Sequence, residues 1–282
     1  MNKKNDFSQK MHSYLRHPAS LIMMILVKLA ALITFTVLIF LIVYILVHGV
    51  PYLKPSLFSL HYNSENASLM PALINTVIMT LLSLLLAVPI GIFSAIFLAE
   101  YAGKGNKFVD IIRLTTETLS GIPSIVYGLF GMLFFVSTCH WGFSLLAGAF
   151  TLAIMILPLI MRTTEEALLS VPDSYREGSF GLGAGKLRTV FYIVLPSAVP
   201  GILAGVILAI GRIVGETAAL IYTAGSVAQV PSSVLGSGRT LAVHMYLLAS
   251  EGLYMDQAYA TAVILLVLVV VINTLSGRVA KK

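Results

Sequence analysis

The stretch ALINTVIMTLLSLLLAVPIGIFSAIFLA, residues 72–99, decides the fold class, because none of its side chains is charged. A helix needs about 20 apolar residues to cross the roughly 30 Å hydrocarbon core of a bilayer, and this stretch exceeds that length. Other stretches are also long and apolar enough to cross: residues 25–48, 119–138, 143–161, 194–222 and 258–277. The sequence therefore predicts an all-α fold, a polytopic membrane helical bundle with six transmembrane helices.

Composition excludes most other classes of protein. Of the 282 residues, 58% are hydrophobic and 11% are charged, whereas a soluble domain is about a quarter charged. The net charge of +6 comes from basic residues dispersed at the edges of the apolar stretches, which indicates solvated loop ends beside lipid and no nucleic-acid partner. Cys139 is the only cysteine and the six histidines are scattered without an HExxH motif, so we predict no metal site.

The distribution of Lys and Arg predicts the orientation, since cytoplasmic loops carry the excess of these residues. With six helices, one side holds Lys3, Lys4, Lys10, Arg16, Lys104, Lys107, Arg113, Arg162, Arg176, Lys186, Arg188, Arg278, Lys281 and Lys282. The opposite loops hold only Lys54 and Arg239. Both termini are therefore expected in the cytoplasm.

Four regions follow from this topology. They are a cytoplasmic N-terminal arm at residues 1–20, a first transmembrane helix at 21–50, a core at 70–277 and a basic cytoplasmic tail at 278–282. The first helix is too long for a typical secretory signal and no small-residue cleavage site follows it, so we expect it to be retained. The outer loop 223–257 is expected to contain a short re-entrant or interfacial helix near residues 240–250.

One polar, glycine-rich segment interrupts the apolar pattern on the cytoplasmic side. This polar segment, residues 162–192, lies within MRTTEEALLSVPDSYREGSFGLGAGKLRTVFYIVLP, residues 161–196. Its Gly185-Lys186 pair suggests a phosphate-binding loop, but Phe180 then stands where the first glycine of GxxxxGK[ST] belongs, and Leu187 replaces the Ser or Thr. We therefore expect no nucleotide site and no ATP hydrolysis in this chain.

The polar segment is better interpreted as a docking element. Thr163 to Leu169 is predicted to be a short helix that Pro172 ends or bends. Ser174 is predicted to be the N-cap of a second helix, with Glu177 completing a capping box. The glycines would then turn the chain into a further helix near Lys186, giving a set of short helices that a partner protein can grip.

The polar segment resembles the EAA-x3-G-x9-I-x-LP loop of binding-protein-dependent ABC transporter permeases. The matching positions are Glu177, Gly178, Ser179, Gly183, Ile193, Leu195 and Pro196. The departure from the family pattern is at the two alanines, which are Gly178 and Ser179 here, and both remain small. In that family the loop is the coupling helix, which seats in a groove of the ATPase subunit. The resemblance implies the same role for the cytoplasmic coupling loop 162–192.

The resemblance covers nearly all of residues 70–277 and is strongest to the phosphate-specific permeases. It is carried by Asn75-Thr76, AVPIGIFSAIFLAEY at 87–101, GIPSIVYGLFG at 121–131 and GRIVGETAAL at 211–220. GETAAL, together with the short N-terminal region, resembles the PstA-type subunit more than its PstC-type partner. The implied fold is that of a type I ABC importer permease in a bacterial or archaeal plasma (inner) membrane.

The resemblance also implies partners. They are a homologous PstC-type permease, a PstB-type ATPase dimer in the cytoplasm and a PstS-type extracytoplasmic phosphate-binding protein. ATP and Mg would be bound by the ATPase, and this chain would bind no cofactor. It would form half of the translocation pathway for phosphate.

Arg212, Glu216 and Thr217 are the candidate pathway residues. Arg212 and Glu216 are four positions apart in one predicted span, which would place them on one helix face. Ionisable residues within a span usually face the bundle interior or a water-filled path. Arg212 could bind a phosphate oxyanion through the paired donors of its guanidinium, or the two residues could form a self-neutralising ion pair. Glu216 could position Arg212, or accept a hydrogen bond from a protonated phosphate oxygen.

Rival functions stay open at this point. The nearer one is a permease for another oxyanion, such as sulfate or molybdate. A stand-alone channel would conduct without partners. An intramembrane enzyme would need a second catalytic group near Arg212 and Glu216, and the histidines lie at span ends, so no catalytic residue is predicted.

Several smaller features predict packing. The pairs Gly201/Gly205 and Gly211/Gly215 have the spacing that lets helices approach closely. Asn75 and Thr76 are expected to cap a helix or bond between helices, and Pro123 and Ser124 to start one. Glu100 and Lys104 are predicted to form a solvated i,i+4 pair at the end of a span.

Overall fold

A computed structural model describes residues 18–102 and 105–279 of the chain. Within these residues the secondary structure is helical, without a strand, which confirms the all-α prediction. The helices that position the functional regions are α1 Pro18–Gly49, α2 Met70–Ile96, α3 Lys107–Ser120, α4 Ser124–Gly131, α5 Leu145–Leu169, α6 Asp173–Gly181, α7 Lys186–Thr189, α8 Leu195–Val214, α9 Ala218–Ile221, α10 Leu241–Glu251 and α11 Met255–Val279. Most of the N-terminal arm, Lys104 and the last three tail residues lie outside the described residues.

The chain divides into residues 18–48, which are α1, and a core that begins at Gly49. α1 has 32 residues, about 48 Å of helix, and is long enough to cross a bilayer. The side chains of this apolar helix are largely exposed. In water this exposure would be costly, whereas hydrocarbon is a favourable surrounding for Leu, Ile and Val side chains.

The number of candidate spans depends on one bend. By length and composition, five helices of the described part can cross a membrane, or six if the pair 107–120 and 124–138 counts as one broken span. The chain bends by 100° between the two helices of this pair. The predicted span 119–138 is therefore wrong at its start, because residues 119–120 end α3 and the second half begins at Ser124.

Local chemistry explains this bend. Pro123 is the N-cap residue of α4, with ψ 141°, and it disfavours helical backbone at the residue before it. Gly121 closes α3, and the Tyr127 hydroxyl donates to the Leu119 carbonyl at 2.7 Å across the bend. The expectation that Pro123 and Ser124 start a helix is confirmed.

The predicted fifth span, 194–222, is wrong at its end. The helix begins at Lys186, passes through one π-helical turn and stops at Val214, where Gly215 is the C-cap. After this break the chain forms the four-residue helix α9 and then turns back. Glycine has a poor helix propensity, and Gly211 and Gly215 both lie at this end.

The bundle core is formed by α2, α5 and α8. Buried side chains from the three helices pack together, among them Met79, Leu152, Ile156, Ile160 and Ile213. α5 is the central helix, since 67% of its most apolar stretch is buried. The polar segment lies at one end of this core and the outer loop at the other, and both are described below.

Two glycines let α8 approach α5 closely. A Cβ added at Gly201 would lie 2.7 Å from the Ala167 Cβ, and one at Gly205 would overlap the Thr163 side chain. The predicted close approach is therefore confirmed for this pair. It is wrong for Gly211, whose added Cβ would meet nothing within 4 Å, and Gly215 meets only a carbonyl of its own helix.

The outer loop contains the expected short helix, α10, with Leu241, Val243, His244 and Leu248 among its buried residues. The preceding loop runs back against the start of α5. Backbone N–H groups at the first turn of α5 donate to loop carbonyls: Leu145 to Gly236 at 3.0 Å and Leu146 to Val234 at 2.8 Å. These bonds satisfy donors that a helix start leaves without intrahelical partners.

We expect Gly205→Ala to destabilise the bundle, because the new methyl group would overlap Thr163. Overpacking of this kind typically costs about 1–3 kcal/mol. Gly211→Ala is the matched control, since it lies on the same helix with open space around the added carbon. The measurement is thermal unfolding of the detergent-purified protein. A Tm for Gly205→Ala equal to or above that of Gly211→Ala would contradict the close packing of α8 on α5.

Candidate functional site

The polar segment begins as part of a membrane helix and not as a helix of its own. Thr163 to Leu169 continues α5 without a break, so the prediction of a separate short helix there is wrong. The continuation follows from the sequence Thr163–Leu169, which contains no Gly or Pro. A displacement of the polar segment is therefore passed directly to α5.

The predicted capping box is also wrong. α6 begins at Asp173, and its N-cap residue is Pro172, which makes no side-chain cap. Ser174 lies inside the first turn, so its hydroxyl does not occupy the capping position. Pro172 has φ −57°, and this fixed torsion starts the helix two residues earlier than the Ser174 pattern indicates. The negative charge at the helix start comes from Asp173.

Gly183 ends α6 in a conformation that requires glycine. Its φ is +82°, a left-handed value that costs other residues roughly 1–2 kcal/mol. Gly183 N donates to the Phe180 carbonyl at 2.9 Å and Ala184 N to the Ser179 carbonyl at 3.1 Å. This turn redirects the chain into α7, which begins at Lys186 as the sequence predicts.

Ser179, where the family pattern has alanine, joins the two helices of the polar segment. The hydroxyls of Ser179 and Thr189 lie 2.8 Å apart and are hydrogen-bonded. Thr189 is buried, and Ser179 is half-buried. The departure from alanine therefore adds a contact between α6 and the helix that leads into α8.

Arg176 anchors α6 to the ends of two membrane helices. Its Nη2 donates to the Glu100 Oε1 at 2.6 Å and to the Leu168 carbonyl at 2.9 Å, and its Nη1 donates to the Val171 carbonyl at 2.7 Å. The Glu100 side chain is only 8% exposed. The hydrogen bond to this carboxylate raises the pKa of the Arg176 guanidinium.

Sequence reasoning missed the Arg176 contact. It assigned Glu100 to a solvated pair with Lys104, which lies outside the described residues, whereas Glu100 is nearly buried and bonded to Arg176. Glu100 and Arg176 are 76 positions apart. Such a separation leaves no periodic signal, so only a search for charged residues at the ends of spans could have suggested the pair.

The outer surface of the polar segment is apolar to a degree unusual for an exposed loop. Tyr175, Phe180, Leu182, Leu187 and Tyr192 are all exposed, and Leu182 is 92% exposed. A cleft of about 420 Å³ lies between α6 and the start of the next helix, bordered by Tyr175, Gly178, Leu182 and Ile193 among others. Clustered exposed apolar side chains mark protein interaction surfaces.

The motif residues divide between this surface and the helix behind it. Glu177 and Gly178 are exposed on α6, and Ile193 is exposed in the π-helical turn. Leu195 and Pro196 are the first two residues of α8. The structure thus brings the predicted coupling residues together on one two-helix unit that continues into the core.

Arg212 and Glu216 do not share a helix face. Arg212 lies in the last turn of α8, whereas Glu216 follows the helix end, so the predicted i,i+4 arrangement is wrong. Among the described residues, the ion pairs within 4.0 Å join Arg113, Arg162 and Arg176 to acidic groups, and none involves Arg212. The alternative of a self-neutralising pair is therefore excluded for this conformation.

Glu216 instead caps α9. It is 8% exposed, and its Oε1 accepts a hydrogen bond from Ala219 N at 3.1 Å. Thr217 is the N-cap residue of the same helix and is partly exposed. Arg212 is half-buried, within electrostatic range of the Tyr127 hydroxyl. Its location at a helix C-terminus is favourable for a cation.

The two stretches that resemble the phosphate branch pack against each other. A Cβ added at Gly128 of α4 would lie 2.8 Å from the Ala219 Cα, and one at Gly131 would lie 2.7 Å from a Thr223 methyl group. GIPSIVYGLFG and the chain that follows GRIVGET therefore form one contact. Arg212 and Glu216 lie at its edge.

Comparison with known proteins found relatives by sequence and by structure. Residues 87–282 match the family described as binding-protein-dependent transport system inner membrane component. The probable ABC transporter permease protein YqgI of Bacillus subtilis is 35% identical over 263 residues, which are 87% of this chain and 89% of that relative. The phosphate transport system permease protein PstA of Haemophilus influenzae is 39% identical over 178 residues, which are 62% of each chain.

Another relative and two solved structures are also similar to this chain. The phosphate transport system permease protein PstA 2 of Mycobacterium tuberculosis is 40% identical over 161 residues, 57% of this chain and 53% of that relative. A chain of the inward-facing MetNI methionine ABC transporter has a TM-score of 0.63 at 22% identity, covering 76% of this chain and 94% of its own. A chain of a bacterial alginate ABC transporter has a TM-score of 0.66 at 19% identity, covering 96% and 99%. These structures confirm the fold.

We expect Arg176→Ala to destabilise the protein by about 3 kcal/mol, because it leaves the nearly buried Glu100 carboxylate without its cation. Arg188→Ala is the matched control, since Arg188 is exposed on the neighbouring helix, and surface substitutions are usually within about 0.5 kcal/mol. Thermal unfolding in detergent measures both. Equal Tm values for the two variants would show that the Arg176–Glu100 pair does not anchor α6.

Proposed function

Because this chain belongs to the family of binding-protein-dependent transport system inner membrane components, we propose that it is the permease subunit of an ATP-driven phosphate importer. The assignment of phosphate as the substrate rests on the 39–40% identity to PstA permeases over 57–62% of the chain. The chain would form half of the translocation pathway and would catalyse no bond chemistry itself.

The proposal includes partners that the family relationship supports in general terms. A homologous PstC-type permease would complete the pathway, and a PstS-type extracytoplasmic protein would deliver phosphate. A PstB-type ATPase dimer would bind ATP and Mg and would dock on the exposed apolar side chains of the polar segment. The polar segment and both termini would then lie in the cytoplasm, in accordance with the Lys and Arg distribution.

The contacts of the polar segment support its role in coupling. α6 follows α5 after a three-residue turn, α7 continues into α8, and Arg176 ties α6 to the end of α2. These three membrane helices form the bundle core. A partner that displaces the polar segment during its ATP cycle would therefore move the core helices, and the motion would open the pathway alternately to the two sides.

Arg212 is proposed to attract phosphate within the pathway. The absence of an acidic partner within 4.0 Å in the described residues leaves its charge available to an anion. Glu216 and Thr217 lie after the break at Gly215 and are proposed to line the same path. The Glu216 carboxylate holds α9 through the Ala219 N–H, and its other oxygen could accept a hydrogen bond from a protonated phosphate.

We expect Arg212→Ala to lower phosphate uptake about thirtyfold, corresponding to the loss of about 2 kcal/mol from a hydrogen bond to a charged group. Uptake of labelled phosphate is measured in cells or proteoliposomes containing the full transporter, with assembly verified by co-purification. Lys54→Ala, which removes an exposed positive charge elsewhere, is expected to transport normally. Normal uptake by Arg212→Ala would overturn the pathway assignment.

The same assay tests the function as a whole. Phosphate flux by the chain alone, without ATP or partner chains, would favour a channel. ATP-driven uptake of sulfate or molybdate but not of phosphate would identify a permease for another oxyanion.

Glu216→Gln is expected to weaken discrimination against sulfate while leaving the fold intact. The Gln side chain retains an oxygen that can accept from Ala219 N, so the cap of α9 is preserved and only the charge is lost. The measurement is competition of sulfate with phosphate uptake at equal expression. If sulfate competes no better than in the unmodified transporter, Glu216 does not distinguish phosphate by accepting a hydrogen bond from its protonated oxygen.

A further inference from the structure

A cluster of buried polar side chains, several of whose atoms are unpaired within the described part of the chain, lies where the outer loop meets α10. Arg239 is 6% exposed, Thr240 is 2% exposed and His244 is fully buried. Nε and Nη2 of Arg239, Oγ1 of Thr240 and both ring nitrogens of His244 make no hydrogen bond to any described residue. Buried polar groups are nearly always hydrogen-bonded, so a cluster of unpaired ones calls for a partner such as an ion, a ligand or ordered water.

The backbone that carries this cluster is firmly held. Arg239 N donates to the Val227 carbonyl at 2.9 Å, and the Arg239 carbonyl accepts from Asn75 Nδ2 at 3.2 Å. Leu241 N donates to Thr76 Oγ1 at 2.8 Å. The expectation of bonding between helices is thus confirmed for Thr76, whereas Asn75 donates to two loop carbonyls, those of Gln229 and Arg239. The unpaired side chains are therefore positioned by α2 and are not the product of a loose loop.

Within the described residues, no carboxylate forms an ion pair with Arg239. One face of its guanidinium covers the Tyr62 ring, with Cζ 4.7 Å from the ring centroid. The ion pairs found among the described residues all involve other arginines. Stacking on an aromatic ring offsets only part of the cost of burying a charge. The edge of the guanidinium, with its unpaired Nε–H and Nη2–H groups, is the geometry that binds two oxyanion oxygens.

The neighbouring groups add donors of the same kind. Thr240 is the N-cap residue of the 11-residue helix α10 but makes no side-chain cap, and a helix N-terminus favours anions. His244 lies four positions after Thr240, on the same helix face. The Tyr62 ring contacts both Arg239 and His244, the latter edge-on at 6.1 Å, so the two side chains converge.

His244 is neutral in this setting. Burial and the charge of Arg239 lower its pKa to about 3, so it offers one N–H donor and one acceptor. The Ala67 backbone faces the ring but makes no hydrogen bond of normal geometry with it. One further unpaired acceptor is present, Asn75 Oδ1, which a protonated phosphate could satisfy and a fully ionised sulfate could not.

We propose that Arg239, Thr240 and His244 form a phosphate-binding site at the end of the bundle opposite the polar segment. The positions of its contacts on α2 establish the end: Asn75 lies beside Arg239, and Glu100, about 37 Å further along the helix, lies beside Arg176. The depth of burial suits a small free anion rather than a lipid headgroup. The proposal rests on the proposed function and adds to it a site that phosphate occupies apart from Arg212.

The test is equilibrium binding of radiolabelled inorganic phosphate to the purified transporter complex without its binding protein. Arg239→Gln keeps a polar side chain but loses the positive charge and the paired N–H donors of the guanidinium. It is expected to raise the Kd for phosphate at least about tenfold. Lys54→Gln is the control for loss of a positive charge and should bind as the unmodified complex does.

Thr240→Val keeps the shape of the side chain and removes one donor, so it tests the site even if Arg239→Gln fails to assemble. It is expected to weaken binding about fivefold. Unchanged affinity in Thr240→Val and in any assembled Arg239→Gln would overturn the proposal. The proposed function fails separately, if the unmodified complex shows no ATP-driven phosphate uptake.

Discussion

α5, Leu145–Leu169, is the helix on which the rest of the structure depends, because both of its ends must be satisfied by other parts of the chain. The first and last turns of a helix leave backbone groups without intrahelical partners. At the start of α5, the loop carbonyls of Val234 and Gly236 accept from Leu146 and Leu145. At its end, Arg176 donates to the carbonyl of Leu168. The outer loop and the polar segment therefore cap the two ends of one buried helix, α5.

This arrangement explains how a polar segment can act on a membrane bundle. The Arg176 guanidinium is shared between Glu100 at the end of α2 and carbonyls at the end of α5. Close packing at Gly201 and Gly205 then joins α5 to α8. Because side chains in such an interface interdigitate, the helices move together when one of them is displaced. Coupling of the proposed kind would therefore depend on these shared contacts and would need no separate element.

Two arginines that are at least half-buried and form no ion pair among the described residues define the electrostatics of the opposite half of the bundle. Arg212 is half-buried at the end of α8, and Arg239 is almost completely buried beside α10. A buried cation without a counter-charge is unfavourable unless something compensates it. In the proposed phosphate permease, an anion that passes through the bundle would be a physical reason to keep such groups unpaired. Arg176, in contrast, is fully bonded and structural.

The sequence by itself determined the class of fold and the local backbone of the motif. A stretch as long and uncharged as residues 72–99 suits a lipid surrounding whichever helices pack beside it. The glycine of the motif, Gly183, has a left-handed φ, which is a property of the local backbone. Local chemistry also located Pro123 at a helix start and Lys186 at another.

Tertiary structure decided the rest, because the deciding contacts join residues far apart in the chain. Arg176 meets Glu100 across 76 positions, and Arg239 meets Asn75 across 164. The end of α8 at Val214 could not be predicted from hydropathy, since the apolar pattern continues through Ala218–Ile221. Hydropathy records how well a stretch suits lipid, whereas the break after Val214 and the close packing of α9 against Gly128 are seen only in the folded chain.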